Sequence, residues 1–463
     1  MTSPDAIPQE VRDIAALIEG AGYEAFIVGG AVRDLLIGDE PEDYDIATSA
    51  VPEHTVDILE KSKIGHYDTG IKHGTVTASA HRADGQGIRA IEITSYRADG
   101  QYLDSRHPKE VRYGVSMGED VRRRDFTINA LYMRGDGTVV DEVGGLADLE
   151  ARIIRTVGNP EQRFDEDPLR IMRALRFSAQ LGFEIEEETF DAMTKLRMRL
   201  NDISGERIEA ELVKLLTAPF AGRAVRRGAY IMSAFIPALE KCIGFDQHSR
   251  YHDLDVLEHT IAVIENLPRT EEGRAVRDPV LAVSALFHDI AKPICFRVNA
   301  NGVAHMKGHP VKGSVIANDV LTRLHCPHEF TREVTELVLL HDTFTSTDRV
   351  SVHKFLCGHS EEFYVKLAAL QRADILAHSE LGRKRISRLE KLVAVSKELR
   401  AEGCAFDVKE LAIGGGDVIE LGVPEGPEVG KVMGELFERH IEDKVINKRE
   451  ELLAEASKIV RGC

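Results

Sequence analysis

Asp43 and Asp45 stand one residue apart, and Gly29-Gly30-Ala31-Val32-Arg33-Asp34 precedes them by about a dozen residues. Along an extended strand, positions i and i+2 face the same side, so both carboxylates reach one pair of divalent cations. The apolar run Phe26-Ile27-Val28 predicts a strand ahead of them. Gly29-Gly30 lets the backbone approach phosphate oxygens closely, and Val32-Arg33-Asp34-Leu35-Leu36 then starts a helix. Strand, glycine turn, helix and paired acids together are equipment for phosphoryl transfer. An Asp-x-Asp alone is more often a solvated turn.

Around this centre the pattern predicts a small mixed α/β domain. Val11, Ile14, Ala15, Leu17 and Ile18 recur at helical spacing within residues 1–24. Short β-like runs follow at Phe26–Val28, Tyr44–Ala47, Thr75–Ala80 and Ile88–Tyr96. From about residue 160 helical periodicity dominates, as in Leu169, Met172, Leu175, Arg176 and Ala179, or Leu337, Val338 and Leu340. Gly414-Gly415-Gly416 and Pro424-Glu425-Gly426-Pro427 mark turns before a last helical segment. The expected class is α+β, divided at 1–150, 151–245, 246–400 and 401–463. The polar stretch Arg97–Lys109 lacks periodicity and reads as a mobile loop.

Net charge is −18, unusual for a chain that handles nucleic acid. Residues 151–245 are balanced, with 15 Lys and Arg against 14 Asp and Glu. Their arginines cluster at Arg170, Arg173 and Arg176, at Arg197 and Arg199, and at Arg223, Arg226 and Arg227, a local track that could hold an RNA backbone. Taken singly, each reads equally as a solvated helix face. Six cysteines show no Cys-x-x-Cys pair, which argues against a structural zinc site or disulfide framework and favours a reducing cytoplasm. With no run of about 18 apolar residues and no basic-then-apolar leader, a soluble, cytoplasmic chain is expected.

The motifs resemble, in order, those of the bacterial tRNA CCA-adding enzyme and poly(A) polymerase family. Arg123-Arg124-Asp125-Phe126-Thr127-Ile128-Asn129 is similar to its ribose-contacting motif, and Asp141 with Gly144-Gly145-Leu146-Ala147-Asp148-Leu149 to its hinge-like stretch. Glu166-Asp167-Pro168-Leu169-Arg170 resembles the base-selecting motif, and Glu206–Leu212 the helix behind it. The resemblance implies a polymerase beta-like nucleotidyltransferase head that extends tRNA from CTP and ATP. Asp43 and Asp45 would hold Mg²⁺, with Glu92 on an adjacent strand as the third carboxylate. Gly29, Gly30, Arg33, Arg124, Asp125, Asn129, Asp167, Arg170 and Arg173 would bind the nucleotide. Asp167 and Arg170, three apart on one helix face, would pair and read the Watson–Crick edge of cytosine or adenine. The position of Arg97–Lys109 matches the flexible loop that the family needs for adenosine addition.

A second set, His259, His288, Asp289 and Asp374, resembles the metal ligands of the HD phosphohydrolase superfamily, with His309 and His341 able to join it. Imidazole and carboxylate suit a second divalent metal, on a helix that carries the His288-Asp289 doublet. The competing readings are a poly(A) polymerase or A-adding enzyme of the same family, and an HD-type phosphohydrolase with a degenerate head. A non-catalytic RNA-binding scaffold is a further one. Intact Asp43 and Asp45 argue against the last two, and an acidic tail with the His-Asp doublet argues against the polymerase.

Overall fold

Four consecutive buried residues, Ala25–Val28, form β1, an interior strand of a seven-stranded sheet in the computed structural model. The structure describes residues 6–68, 70–83, 85, 87–99, 111–269, 277–300 and 304–462. Two compact units divide the chain, Met1–Pro237 and Ala238–Cys463. In the first, β2 (Asp45–Thr48), β3 (Gly65–Tyr67), β4 (Thr75–His81) and β5 (Ile88–Ser95) are followed by a separate ribbon of β6 (Arg97–Asp99) and β7 (Val111–Tyr113). Two short strands, β8 (Tyr132–Met133) and β9 (Val139–Val140), complete the sheet in the order β3-β4-β5-β2-β1-β8-β9.

The pairing that matters most is parallel, β2 on β5, with Asp45 opposite Glu92. β2 has only four residues, and burial holds its register: Ile46 pairs with the buried Ile93 and Ala47 with Thr94, on opposite faces of the sheet. Phe26, Val28, Ala47, Tyr96, Val121 and Tyr132 pack into one cluster beneath the sheet. The first helix runs over Gln9–Gly20 and buries Val11, Ile14, Ala15 and Ile18, as its spacing predicts.

Three sequence expectations need correction. The strand carrying the acid pair begins only at Asp45, because β1 ends opposite it at Val28 and Gly29 turns the chain away at φ +72°. Asp43 therefore precedes the strand, although the exposed-buried-exposed alternation over Asp43, Tyr44 and Asp45 persists. The stretch Arg97–Lys109 is not loop throughout: Arg97, Ala98 and Asp99 pair with Tyr113, Arg112 and Val111, and residues 100–110 lie outside the described ones. Asp167 and Arg170 do not share a helix. One helix ends at Glu166 and the next starts at Leu169, with Asp167 extended at φ −144°. The residue before a proline is disfavoured in helical conformation, and Pro168 imposes that break.

In the second unit, helices Val256–Asn266, Pro279–Phe287, His309–Arg323, His328–Leu340 and Glu361–Ala377 pack around a histidine-rich centre. Helices Gly415–Glu420, Pro427–Ile441 and Arg449–Gly462 close over a smaller core of Leu411, Ile413, Val418, Leu436 and Leu452. Gly414 caps the first of these and Pro427 opens the second, as the turn signals predict. No helix among the described residues is long and apolar enough to cross a membrane.

Candidate active site

A glycine that only glycine can replace begins the site. At φ +72° and ψ −139°, Gly29 caps the helix Gly30–Ile37, and a side chain there would stand 3.9 Å from Asp45 Oδ2. Asp45 sits in a cleft where loss of hydration, then the charges of Glu92 and Asp43, push its carboxyl up to about 6. Arg124 opposes them. Asp45 with the two carboxylates whose charge it feels, Glu92 and Asp43, makes an oxygen donor set suited to hard divalent cations. They are looser than a closed metal cage. Among the described residues, every group of three or more His, Cys, Asp or Glu with ligand atoms within 4.8 Å lies in the second unit.

Beside the acids lies a cavity of about 520 Å³ that gathers the nucleotide residues expected from sequence. Gly29, Gly30, Arg33, Asp45, Arg124, Asp125, Asn129, Asp167, Arg170 and Arg173 all line it. The break after helix Met117–Arg122, followed by the turn Thr127–Asn129, is what lets Arg124, Asp125 and Asn129 face one space. A continuous helix would have separated them. Asp141 fixes this region by accepting the backbone N–H groups of Val143, Gly145 and Leu146, which caps helix Gly145–Ala151.

The polar groups are chained together. Arg33 donates to Asp34 (2.8 Å) and to Asn129 Oδ1 (2.8 Å), so the local ion pair forms and also reaches the ribose motif. Asn129 donates to Asp125, which accepts twice from Arg173, at 2.9 and 2.6 Å. Burial pushes the Asp125 carboxyl up, but Arg173, Arg170 and the Phe126 N–H together hold the group below its usual range. Arg124 donates to Tyr132 Oη and Asp120 and lies 4.8 Å over the Tyr132 ring. Such clamping fixes guanidinium positions before any ligand arrives.

The expected Asp167–Arg170 pair is absent. Asp167 accepts from Arg207 (2.9 Å), whereas Arg170 donates to Glu166 (2.8 Å) and to the carbonyls of Arg163 and Arg123. With Asp167 pulled out of the helix by Pro168, each residue finds a different partner. Both still face the cavity.

The cavity also takes in Arg123, Arg176, Phe177 and Arg207, which the expected nucleotide-binding set lacks; of these only Phe177 stands outside the motifs and the arginine track. Phe177 is the hub: the guanidinium carbons of Arg33, Arg173 and Arg176 lie 5.2, 5.4 and 4.1 Å from its ring centroid. Arg173, Arg176 and Phe177 share one helix at spacings of three and four, which places them on one face. Of the rest of the arginine track, Arg199 pairs with Asp165 and Asp202, Arg223 with Glu184 and Arg227 with Glu187. Those three fit the solvated-face reading.

In the second unit, His259, His288, Asp289 and Asp374 converge within 4.8 Å, all buried. The doublet lies just past the end of helix Pro279–Phe287. His259 Nε2 is 2.9 Å from Asp374 Oδ1 and 3.4 Å from Asp289 Oδ2, and His288 Nε2 is 3.2 Å from Asp289 Oδ2. Burial depresses the His259 imidazole below its usual range, which favours the neutral ring that ligates metals. Lys292 stands 2.6 Å from Asp289 Oδ2 and holds that carboxyl far below its usual range against burial.

Comparisons agree with this geometry. Residues 25–155 match the poly A polymerase head domain, 182–227 the RNA and SrmB-binding site of polymerase A, and 311–456 the tRNA nucleotidyltransferase domain 2. The CCA-adding enzyme of Levilactobacillus brevis is 33% identical over 97% of this chain and 98% of its own. That of Limosilactobacillus fermentum is 32% identical over 99% of both. The crystal structure of the Bacillus stearothermophilus CCA-adding enzyme in complex with CTP superposes with a TM-score of 0.70 at 28% identity, covering 100% of this chain and 99% of that one. By fold, by motif and by likeness along its whole length, the chain belongs to the family of CCA-adding enzymes, the tRNA nucleotidyltransferases.

Proposed function

We propose that the first unit completes the 3′ CCA end of tRNA from CTP and ATP without a nucleic-acid template, releasing pyrophosphate. The observation that carries this is a single cavity in which Asp45 meets a ring of arginines and the Asp167–Arg170 segment. Asp43 and Asp45, with Glu92 beside them, are the residues that would hold Mg²⁺. Bound there, the cations would neutralise the triphosphate and lower the pKa of the RNA 3′-hydroxyl. Arg33, Arg173 and Arg176, held around Phe177, offer fixed positive charge to the phosphates. Gly29 and Gly30 leave the backbone open to them. Asn129 and Asp125 are placed to meet the ribose. Asp167 keeps acceptor capacity beyond its bond to Arg207, and Arg170 has donors beyond the three it uses, so the two could still read an exocyclic amine and ring nitrogen from separate anchorages.

The test is product analysis. Purified protein is given a tRNA transcript lacking its last three nucleotides, or an unrelated RNA of equal length, with CTP and ATP. Two cytidines and one adenosine added to tRNA alone support the reading; a long adenosine tract on both RNAs supports the poly(A) polymerase.

A second reading concerns the other unit. His259, His288, Asp289 and Asp374 form a buried mixed nitrogen and oxygen set that suits a first-row divalent metal, in the manner of HD phosphohydrolases. His288 Nε2 has no hydrogen-bond partner there, although it is buried. Such a centre would serve trimming of damaged RNA ends. Loss of bound Ni²⁺, Mn²⁺ or Co²⁺ on replacing His288 and Asp289 by Ala supports it; no metal bound by the parent protein overturns it.

A further inference from the structure

The β3-β4-β5 part of the head sheet has one face in the core, where Val76, Ala78, Ile91 and Ile93 are buried. The other face is open, and the strand register lays it out. Asp45 stands opposite Glu92, Glu92 opposite Thr77 and Thr77 opposite Tyr67. Residues directly opposite one another share a face, so these side chains form one row across β2, β5, β4 and β3 on the side that carries the acids. Glu92 and Tyr67 are exposed there and Thr77 is half-buried. Tyr67 is 63% exposed, more than any other Phe or Tyr among the described residues. At roughly 4.8 Å per strand, its Cα lies about 14 Å from that of Asp45.

A sheet with one face in the core leaves the other to water by default. The chemistry at the end of this row gives the face a direction. Gly29, Gly30 and Arg33 line the cavity on the β1 side of Asp45, and β5 lies on its other side. Phosphoryl transfer keeps the attacking and leaving oxygens roughly in line through the phosphorus. With the leaving pyrophosphate on the β1 side, the attacking 3′-hydroxyl approaches from the β5 side, over Glu92, and the strand behind it runs out over Thr77 towards Tyr67. Lys72, exposed in the turn Ile71–His73 between β3 and β4, adds positive charge at the start of β4. Resting on the reading of the first unit as a CCA-adding head, we propose that the open face of β3-β4-β5 carries the single-stranded 3′ end of the RNA, with Tyr67 stacked on a base behind the terminal nucleotide. Every base has a π-face, so an aromatic platform tolerates any sequence. That suits a strand whose last base changes with each addition.

Addition of the terminal adenosine to tRNA that already carries its two cytidines tests this in the full-length protein, because the end is then unpaired. Tyr67→Ala should raise KM for the RNA about ten- to a hundredfold, the effect of losing one base–aromatic stack, while KM for ATP stays within about twofold of the parent's. Tyr67→Phe keeps the ring and should behave as the parent. A fluorescent purine at the unpaired position before the cytidines should be quenched on binding to the parent and to Tyr67→Phe, but not to Tyr67→Ala. An unchanged KM for the RNA in Tyr67→Ala, or an equal loss in Tyr67→Phe, overturns the platform and leaves the CCA-adding reading intact. A parent protein that adds no adenosine to this RNA overturns both.

Discussion

Asp45 concentrates the electrostatics of the head in one carboxyl. Lost hydration, Glu92 and Asp43 push it up to about 6, above the unfolded-chain value, so its ionisation opposes folding. The stability tied to its protonated form is complete below about pH 4 and is lost as pH rises through about 6. Cation binding works in the opposite sense, because it needs the ionised form. Mg²⁺ affinity measured by calorimetry should weaken as pH falls through about 6, and Glu92→Gln should move that limb to lower pH; an unmoved limb would place Glu92 outside the site. Base choice is the other question at this scale. Asp167→Asn should cut the preference for CTP and ATP over UTP and GTP by about ten- to a hundredfold, since a well-placed polar contact to a base is worth roughly 1–3 kcal/mol. Arg170→Ala should do the same and also lower the melting temperature, because its guanidinium ties down the Arg123 and Arg163 carbonyls. A uniform fall in rate with all four nucleotides would show that the base is read elsewhere.

At the scale of elements, the site depends on two places where a helix stops. One, before Pro168, sets Asp167 apart from Arg170. The proline is visible in the sequence, but i,i+3 spacing alone does not register the break and so does not reveal the actual partners, Arg207 and Glu166. The other, after Arg122, brings Arg124, Asp125 and Asn129 to one cavity and has no comparable local signal. The strands around Phe26–Val28, Tyr44–Ala47, Thr75–Ala80 and Ile88–Tyr96 and the turn at Gly29 are legible because strand patterning and glycine turns are local, whereas Arg124, Asp125, Asn129, Asp167 and Arg170 are legible only through the resemblance of motifs. Phe177 as the hub of three arginines is legible in neither way, since that arrangement depends on how helix Leu169–Leu181 packs. The turn bearing Asn129 offers a test. A Cβ on Gly145 would stand 2.3 Å from the Thr127 carbonyl oxygen and 2.9 Å from Leu131, and backbone must yield. Gly145→Ala should destabilise the head by about 1–3 kcal/mol and slow incorporation through displacement of Asn129. An unchanged melt and rate would mean that the turn is compliant.

For the whole molecule, an acidic chain that acts on RNA needs its basic groups where the substrate binds. Arg33, Arg123, Arg124, Arg170, Arg173, Arg176 and Arg207 line one cavity together with three carboxylates, Asp45, Asp125 and Asp167, so a net charge of −18 is compatible with a local anion site. The two units carry their clusters separately, and the activities should separate too. His288→Ala with Asp289→Ala should abolish transition-metal binding yet leave CCA addition within about twofold of the parent; a large loss of addition in a folded variant would show that the units are coupled. The central claim is that Asp43 and Asp45 organise nucleotide transfer, and single-turnover addition of the first cytidine to tRNA tests it most directly. Asp43→Ala and Asp45→Ala should each lower that rate by several orders of magnitude with tRNA affinity retained. A rate near the parent's from either variant would contradict the claim.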